Sequence, residues 1–207
     1  MTEAPTAVPR QVVADGRSAR RQRNIDAVLD VVLEMFGEDS MFPTMEQVAS
    51  RAGVSLRSLY RYFPDAGELL EAAISRSGKF AELAHLTAIG QGPLESRIEA
   101  FVAMRLRLYE GTSSVYRAAT ANADRYAPVG RNRTRNRDLL RKQFEAQFSP
   151  ELVRLGEEYR NDVVAAGDVL TQLDAVDFLL RHRGLTEPQA HAALAGGLRA
   201  LLKCQPN

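Results

Sequence analysis

The chain has 207 residues, of which 45% are hydrophobic and 26% are charged. This composition excludes a disordered chain, a collagen-like chain and a disulfide scaffold. Lys and Arg number 27 against 26 Asp and Glu, so bulk charge indicates no particular partner. The single cysteine, Cys204, cannot form an internal disulfide, which favours a reducing compartment. We find neither a signal peptide nor an apolar run of about 18 residues, and therefore expect a cytoplasmic protein with no membrane partner.

Helical periodicity starts at Arg17. Residues 1–16 contain Pro5, Pro9 and Gly16 without any periodicity, and we interpret them as a disordered tail. The first helix then carries apolar residues at the spacing of one buried helix face. These are Ile25, Val28, Leu29, Val32, Leu33 and Phe36.

Capping residues divide the next segment into short helices. Thr44, followed by Gln47 in a capping box, predicts a helix over Met45–Arg51 that stops at Gly53. Ser55 caps a third helix, which ends before Pro64 because a residue that precedes proline avoids helical geometry. Pro64 opens a fourth helix, whose apolar stripe continues to Ala84.

The clearest break in the chain is the segment 90–93, with the sequence GQGP. Five further helices are predicted after it, over 94–110, 113–126, 131–147, 157–183 and 187–203. Runs of β-branched residues with period-two alternation are absent, so no sheet is expected. The predicted fold class is all-α.

Residues 45–63, MEQVASRAGVSLRSLYRYF, have the layout of a helix-turn-helix. Val48 and Ala49 face inward from the first helix, and Leu59 with Tyr62 or Phe63 faces inward from the second. Gly53 stands at the turn, where a positive φ is needed and a side chain is expected to clash. The outer face of the second helix is then free to enter a major groove. It carries Leu56, Arg57, Ser58, Tyr60 and Arg61.

Positive charge lies directly before this motif. Arg17, Arg20, Arg21 and Arg23 stand at the start of the first helix, where they favour contact with a phosphate backbone or a minor groove. Tyrosines on both sides of Arg61 fit phosphate contacts through their hydroxyls. The alternative is a generic pair of helices in a bundle, with the arginines on a solvated face.

Residues 20–75 resemble the DNA-binding domain of TetR-type transcriptional regulators. The resemblance is carried by LEMF at 33–36, TMEQVA at 44–49, RAGVS at 51–55, LYRYFP at 59–64 and the leucine pair at 69–70. It implies a homodimer that binds an operator in double-stranded DNA, and a helical C-terminal domain that dimerises and takes a small-molecule effector.

Individual roles follow from the same resemblance. Thr44 would cap the second helix and contact phosphate, and Tyr60 and Tyr62 would be phosphate anchors. The residues from Ser55 to Ser58 would lead the recognition helix. The domain organisation implied is a tail at 1–16, a three-helix DNA-binding domain at 17–64, a connecting helix at 65–90 and a helical effector-binding and dimerisation domain at 91–207.

The last helix has two apolar sides. One is a leucine-rich stripe, and the other is made of small residues that allow another helix to approach closely. We expect the homodimer to form through the two C-terminal helices, with burial inside a monomer as the alternative. The stripe is Ala190, Ala193, Leu194, Gly197, Leu198, Leu201 and Leu202, and the small side is Ala192, Ala195 and Gly196.

Arg105 interrupts the apolar stripe of the helix that begins at Leu94, and a buried charge needs a partner. One hypothesis is an ion pair with Asp174 or Asp177. The other is an effector pocket lined by Arg105 with Tyr109, Tyr116 and Tyr126. Two hypotheses also exist for the basic residues of 131–142. They either pair with the acidic segment that follows or contact phosphate.

Nothing in the sequence predicts catalysis. The three histidines, His85, His182 and His191, form no metal-ligand spacing, and no nucleophile elbow is present. No metal, no cofactor and no enzymatic activity are therefore expected. The leading hypothesis is a DNA-binding transcriptional regulator, a repressor released by its effector. The alternatives are a helical protein-interaction module that does not bind DNA and a small helical enzyme.

Overall fold

The computed structural model describes residues 11–39, 42–76 and 79–203, and in these ranges it contains helices and loops but no strand. The chain divides into two compact units, residues 1–76 and 77–207. No helix in the described ranges is long and apolar enough to cross a membrane. The all-α prediction is confirmed.

Four helices form the first unit: α1 (Gln11–Asp39), α2 (Met45–Arg51), α3 (Leu56–Tyr62) and α4 (Ala66–Arg76). The apolar face of α1 is buried as predicted, although Ile25 and Leu33 at its edges are only half-buried. The helices meet in one core. Its members are Val28, Leu29, Val32, Phe36, Met45, Val48, Ala49, Leu59, Phe63, Leu69, Leu70 and Ala73.

The start of the first unit differs from the prediction. Helix α1 already includes residues 11–16, which had been assigned to the disordered tail, while residues 1–10 lie outside the described residues. The physical reason is that no proline follows Pro9 in this stretch, and that a single glycine, Gly16, costs a helix only about 1 kcal/mol.

The boundary between the units also differs from the predicted one. We expected a DNA-binding domain that ends at residue 64, followed by a connecting helix over 65–90. Instead α4 belongs to the first unit, because Leu69, Leu70 and Ala73 are buried there and Arg76 forms ion pairs with Asp26 and Asp30 of α1. Asp65 caps α4, so the helix starts at Ala66 and not at Pro64.

The second unit contains the remaining helices. They are α5 (Lys79–Leu83), α6 (Leu94–Asn122), α7 (Ala127–Gln147), α8 (Ser149–Leu152), α9 (Glu157–Thr171), α10 (Leu173–Asp177), a π-helical turn (Phe178–His182) and α11 (Glu187–Lys203). Helix α6 packs against α5, α7, α10 and α11, so it forms the centre of the unit. The aromatic rings of Phe101, Phe144 and Phe148 contact one another in this core.

Two predicted helix boundaries in this unit were wrong. The expected break at 110–113 is absent, because Gly111 is a packing residue: a Cβ there would lie 2.3 Å from Cδ1 of Leu83. The expected single helix over 157–183 is interrupted at Gln172, whose backbone is extended. A glycine inside a helical pattern therefore marked close helix packing and not an end.

Candidate nucleic-acid interface and ligand site

The N-terminus of α2 is held by the predicted capping box. The Thr44 hydroxyl accepts a hydrogen bond from the backbone N–H of Gln47 at 3.3 Å, and the Gln47 side chain accepts one from the backbone N–H of Thr44 at 2.8 Å. Thr44 is exposed, so its side chain is at the surface of the motif. The cap fixes where α2 starts.

The turn of the motif depends on the backbone conformation of Gly53. Its φ is +65°, a value that other residues rarely adopt. The expected steric clash is wrong, because a Cβ at Gly53 would meet nothing within 4 Å. The neighbouring Val54 donates its backbone N–H to the carbonyl of Ala49 at 3.0 Å, which closes the turn between α2 and α3.

Helix α3 is positioned by its cap and its buried side. Ser55 accepts a hydrogen bond from the backbone N–H of Ser58 at 3.1 Å and donates its hydroxyl to that of Ser58 at 2.9 Å. Leu59 is fully buried, and Phe63 completes the inner face. On the opposite face, three of the five predicted outer residues are exposed, namely Arg57, Tyr60 and Arg61. The other two, Leu56 and Ser58, are half-buried.

Tyr62 joins α3 to the basic start of α1. Its hydroxyl accepts a hydrogen bond from the Asn24 amide at 3.4 Å, and its ring lies 5.9 Å from the guanidinium of Arg21 and 5.4 Å from that of Arg61. The hydrogen bond from Asn24, together with Arg61, lowers the pKa of Tyr62. Arg21 and Tyr62, which were predicted to contact the DNA backbone, thus come together with Arg61, which was predicted on the outer face of α3. Sequence reasoning missed Asn24, since a lone asparagine on a helix gives no signal of its own.

The other arginines of the first unit separate into free and paired ones. Arg20 and Arg23 are exposed on α1, and no ion pair described in this unit includes either of them. Arg51 forms two hydrogen bonds with Glu38, and Arg76 is paired with two aspartates. Net positive charge is therefore concentrated at the start of α1 and on the outer face of α3.

In the second unit, two of the tyrosines predicted to line an effector pocket contact each other. The rings of Tyr109 and Tyr116 meet edge to face at 6.0 Å, and the Tyr109 hydroxyl donates to Asp177 at 2.5 Å. Burial, together with Asp174, raises the pKa of Tyr116 to about 12. Burial, together with Asp177, also raises the pKa of Tyr109. Tyr126 lies elsewhere, at the N-cap of α7, with the guanidinium of Arg125 5.3 Å from its ring.

Arg105 is 1% exposed, and the predicted ion pair with Asp174 or Asp177 is wrong. Its guanidinium donates instead to neutral groups of α7, the side-chain oxygen of Gln143 at 2.7 Å and the carbonyl of Leu140 at 2.8 Å. Burial lowers the pKa of Arg105 to about 9, although Asp168 acts in the opposite direction. The two aspartates have other partners.

The basic stretch of α7 is paired, at least in part, with the acidic helices. Asp174 lies 3.1 Å from Arg133 and 2.6 Å from Arg137. Arg141 lies 3.1 Å from Glu145 and 3.8 Å from Asp168. These three arginines therefore form ion pairs, as one of the two hypotheses for this stretch predicted. No group of three or more His, Cys, Asp and Glu side chains that would hold a metal is present among the residues described.

Comparison with known proteins identifies the first unit. Residues 28–73 match the family model described as bacterial regulatory proteins, tetR family. The proteins named HTH-type transcriptional regulator BetI from Escherichia coli O139:H28 strain E24377A, O9:H4 strain HS and K12 strain DH10B are each 39% identical over 89 residues. The match covers 42% of this chain and 44% of each relative, so the chain spans less than half the length of these relatives. The matched residues include the capped α2, the turn at Gly53 and α3, and residues 28–73 therefore form a helix-turn-helix segment of the kind that the TetR family model describes.

Proposed function

We propose that the protein is a transcriptional regulator that binds a specific DNA operator, acts as a repressor and is released by a small-molecule ligand. The observation that carries the proposal is the outer face of α3, where Arg57, Tyr60 and Arg61 are exposed on a helix whose inner face is locked by Leu59. A rigid helix with exposed polar side chains is what a major groove receives. The relatives, named as transcriptional regulators, support the same function.

Base reading and phosphate binding fall to different residues in this proposal. Arg57 stands near the N-terminal end of α3, where the first residues of a recognition helix meet base edges. Arg21, Arg61 and Tyr62 form a cluster that presents two guanidinium groups around one phenol, which suits a phosphate group. Arg20 and Arg23 add charge along the adjacent backbone.

We propose a homodimer that forms through the two C-terminal helical segments. Helix α11 exposes small residues on one face, namely Ala192, Ala193, Gly196 and Ala200. Helix α9 packs against α11, and its Val169 is 71% exposed. A face of small residues beside an exposed valine allows close approach of an equivalent face. Two recognition helices about 34 Å apart would then read two half-sites.

The observed burial of α11 changes which residues this interface would use. Ala195, predicted on the small side, is buried in the core, and Ala193, predicted on the leucine stripe, is exposed. Gly197 faces the side chain of Leu170 on α9 of the same chain, since a Cβ there would lie 3.5 Å from Leu170 Cδ1. Gly196, where a Cβ would meet nothing within 4 Å, is therefore the residue that a partner would approach.

Selection of DNA fragments by the purified chain, followed by fluorescence anisotropy over a range of salt concentrations, tests the proposal. We expect one enriched sequence with two related half-sites, and a steep fall in affinity with salt. A helical protein-interaction module would enrich no sequence and would bind DNA no better than its net charge of +1 allows. That result would refute the proposed function.

A further inference from the structure

Two arginines of α6 are buried, and their surroundings differ. Arg97 donates to both carboxylate oxygens of Glu151 and to the carbonyl of Gln147, so its charge is neutralised inside its own chain. Arg105 is less exposed still, yet no ion pair described in the second unit includes it. Its guanidinium lies 4.4 Å from the ring centroid of Phe101 and donates to Gln143 and Leu140. Arg105 is thus a buried cation outside every ion pair described in this unit, and Asp168 is the carboxylate that acts on its charge without bonding to it.

The hydrogen bonding of Arg105 is also incomplete. Its Nε is buried and has no hydrogen-bond partner. Two other side-chain atoms among the described residues are in the same position, Nε of Arg133 and Oε1 of Gln172. Arg133 is a quarter exposed and paired with Asp174, and Gln172 carries no charge. Arg105 alone of the three combines full burial, positive charge and a missing acceptor. Such a group is costly unless something supplies the missing negative charge.

Gln143 is the side chain that accepts a hydrogen bond from this guanidinium. It is half-buried, whereas Arg105 and Leu140 are buried. Its oxygen accepts from Arg105 at 2.7 Å, and its amide nitrogen donates to the backbone carbonyl of Ala84 at 2.6 Å. Ala84 directly follows α5, the first helix of the second unit. A neutral oxygen of Gln143 therefore stands where the guanidinium of Arg105 could bond to an anion. The same side chain also bonds to the residue that follows α5.

We infer that Arg105 is the anchor for the carboxylate of a ligand with an apolar body, and that this carboxylate enters by replacing the side chain of Gln143. The inference rests on the proposed function, because it names the chemical class of the ligand taken by the second unit. A carboxylate offers the guanidinium two charged acceptors, and such hydrogen bonds are about twice as strong as those to a neutral amide. The ring of Phe101, which lies 4.4 Å from the guanidinium, provides an apolar contact for the rest of the ligand.

Displacement of Gln143 has a structural consequence in the second unit. Once its oxygen no longer accepts from Arg105, the hydrogen bond from its amide to the Ala84 carbonyl is also released. The segment that follows α5 then loses a tertiary contact. Bound ligand is expected to increase hydrogen exchange in peptides that cover residues 80–93, while it protects those of α6 near Arg105.

The test uses the full chain and calorimetric titration with octanoate and 3-phenylpropanoate, each compared with its alcohol, 1-octanol or 3-phenylpropanol. The wild-type protein is expected to bind at least one acid about 30-fold or more tightly than the matching alcohol, because the alcohol leaves the buried charge unpaired. In Arg105→Gln this preference for the acid disappears. In Gln143→Leu, which removes the competing acceptor, the acid binds several-fold more tightly.

Two further variants keep the outcome interpretable. Arg199→Gln removes an equal charge from a half-buried arginine that is paired with Glu95 and Glu99, and it should leave the preference unchanged. Arg105→Lys retains the charge and should retain part of the preference even if Arg105→Gln does not fold. If no acid binds the wild-type protein, or if Arg105→Gln or Arg105→Lys leaves the acid-to-alcohol ratio as it was, the inference is overturned.

Failure of the inference and failure of the proposed function are distinguishable. The titrations contain no DNA, so acid binding that depends on Arg105 supports the inference even in a chain that enriches no operator. Conversely, a chain that binds an operator but prefers the alcohols to the acids retains the proposed function and loses the inference.

Discussion

Replacement of Arg105 by methionine should make the protein more stable, which is unusual for a fully buried residue. Burial lowers the pKa of Arg105 from its ordinary value to about 9. At 1.36 kcal/mol per pH unit, this difference corresponds to about 5 kcal/mol of unfavourable free energy when the side chain is charged at neutral pH. Methionine fills a similar space without charge.

The gain is reduced by the contacts that methionine cannot make. The stacking on Phe101 contributes up to about 2 kcal/mol, and Gln143 loses a hydrogen-bond partner at a cost of about 1 kcal/mol. A net stabilisation of about 1–2 kcal/mol remains. Urea denaturation of the full chain, followed by circular dichroism, measures it as a higher midpoint of the transition assigned to the second unit.

The pH dependence of stability tests independently whether the charge of Arg105 destabilises the folded protein. Arg105 has a lowered folded-state pKa, so above about pH 9 the unfolded chain binds more protons than the folded chain, and the contribution of Arg105 to stability becomes less unfavourable as the pH rises. The full penalty is present below about pH 9. The advantage of Arg105→Met should therefore shrink by about 1.4 kcal/mol between about pH 8 and about pH 10. Comparison with the variant cancels the titration of all groups that the two proteins share.

Arg97→Met is the matched control, since Arg97 is also buried on α6 but is paired with Glu151. It leaves a carboxylate that is mostly buried without its partner and should destabilise the protein by about 3–5 kcal/mol. If Arg105→Met proves as destabilising as Arg97→Met, and equally so at both pH values, then Arg105 is an ordinary structural arginine and the reasoning fails.

Three other variants test the remaining sites. Arg57→Ala should weaken operator binding by about 1–3 kcal/mol and relax sequence preference in the selection experiment, whereas Arg154→Ala, the same change on an exposed arginine of the second unit, should do neither. Gly196→Glu should yield monomers in analytical ultracentrifugation, while Ala121→Glu on an exposed position of α6 should leave the dimer intact. A wild-type chain that sediments as a monomer at micromolar concentration would contradict the dimer proposal. Gly53→Ala should cost about 1–2 kcal/mol in urea denaturation through its positive φ alone, and a larger loss would indicate a clash that the structure does not contain.

The first unit was largely predictable because each of its signals is local. The capping box at Thr44, the serine cap at Ser55 and the proline after Phe63 fix three helix ends within a few residues of chain. Burial then follows from periodicity, as for Leu59. What could not be predicted depends on contacts between distant residues, such as the hydrogen bond from Asn24 to Tyr62, which joins residues 38 positions apart.

The second unit was less predictable for the same reason. Gly111 looked like a helix end, and only its contact with Leu83 reveals it as a packing residue. Helix phase alone could not decide that Ala195 is buried and Ala193 exposed, since the two differ by only two positions on a helix with small residues on several sides. Charge segregation predicted that the basic α7 pairs with acidic helices, but it could not assign the partner of each aspartate.

Arg97 and Arg105 look alike in sequence, since each is an arginine among apolar residues of one helix. The difference lies in a carboxylate 54 positions away, which closes the site at Arg97 and has no counterpart at Arg105. A ligand shifts a conformational equilibrium only by the difference between its affinities for the two states. A cation that bonds to the neutral oxygen of Gln143 in one state and to a carboxylate in the other provides such a difference. On this argument, the unfavourable burial of Arg105 is retained because it makes the second unit responsive to an anion.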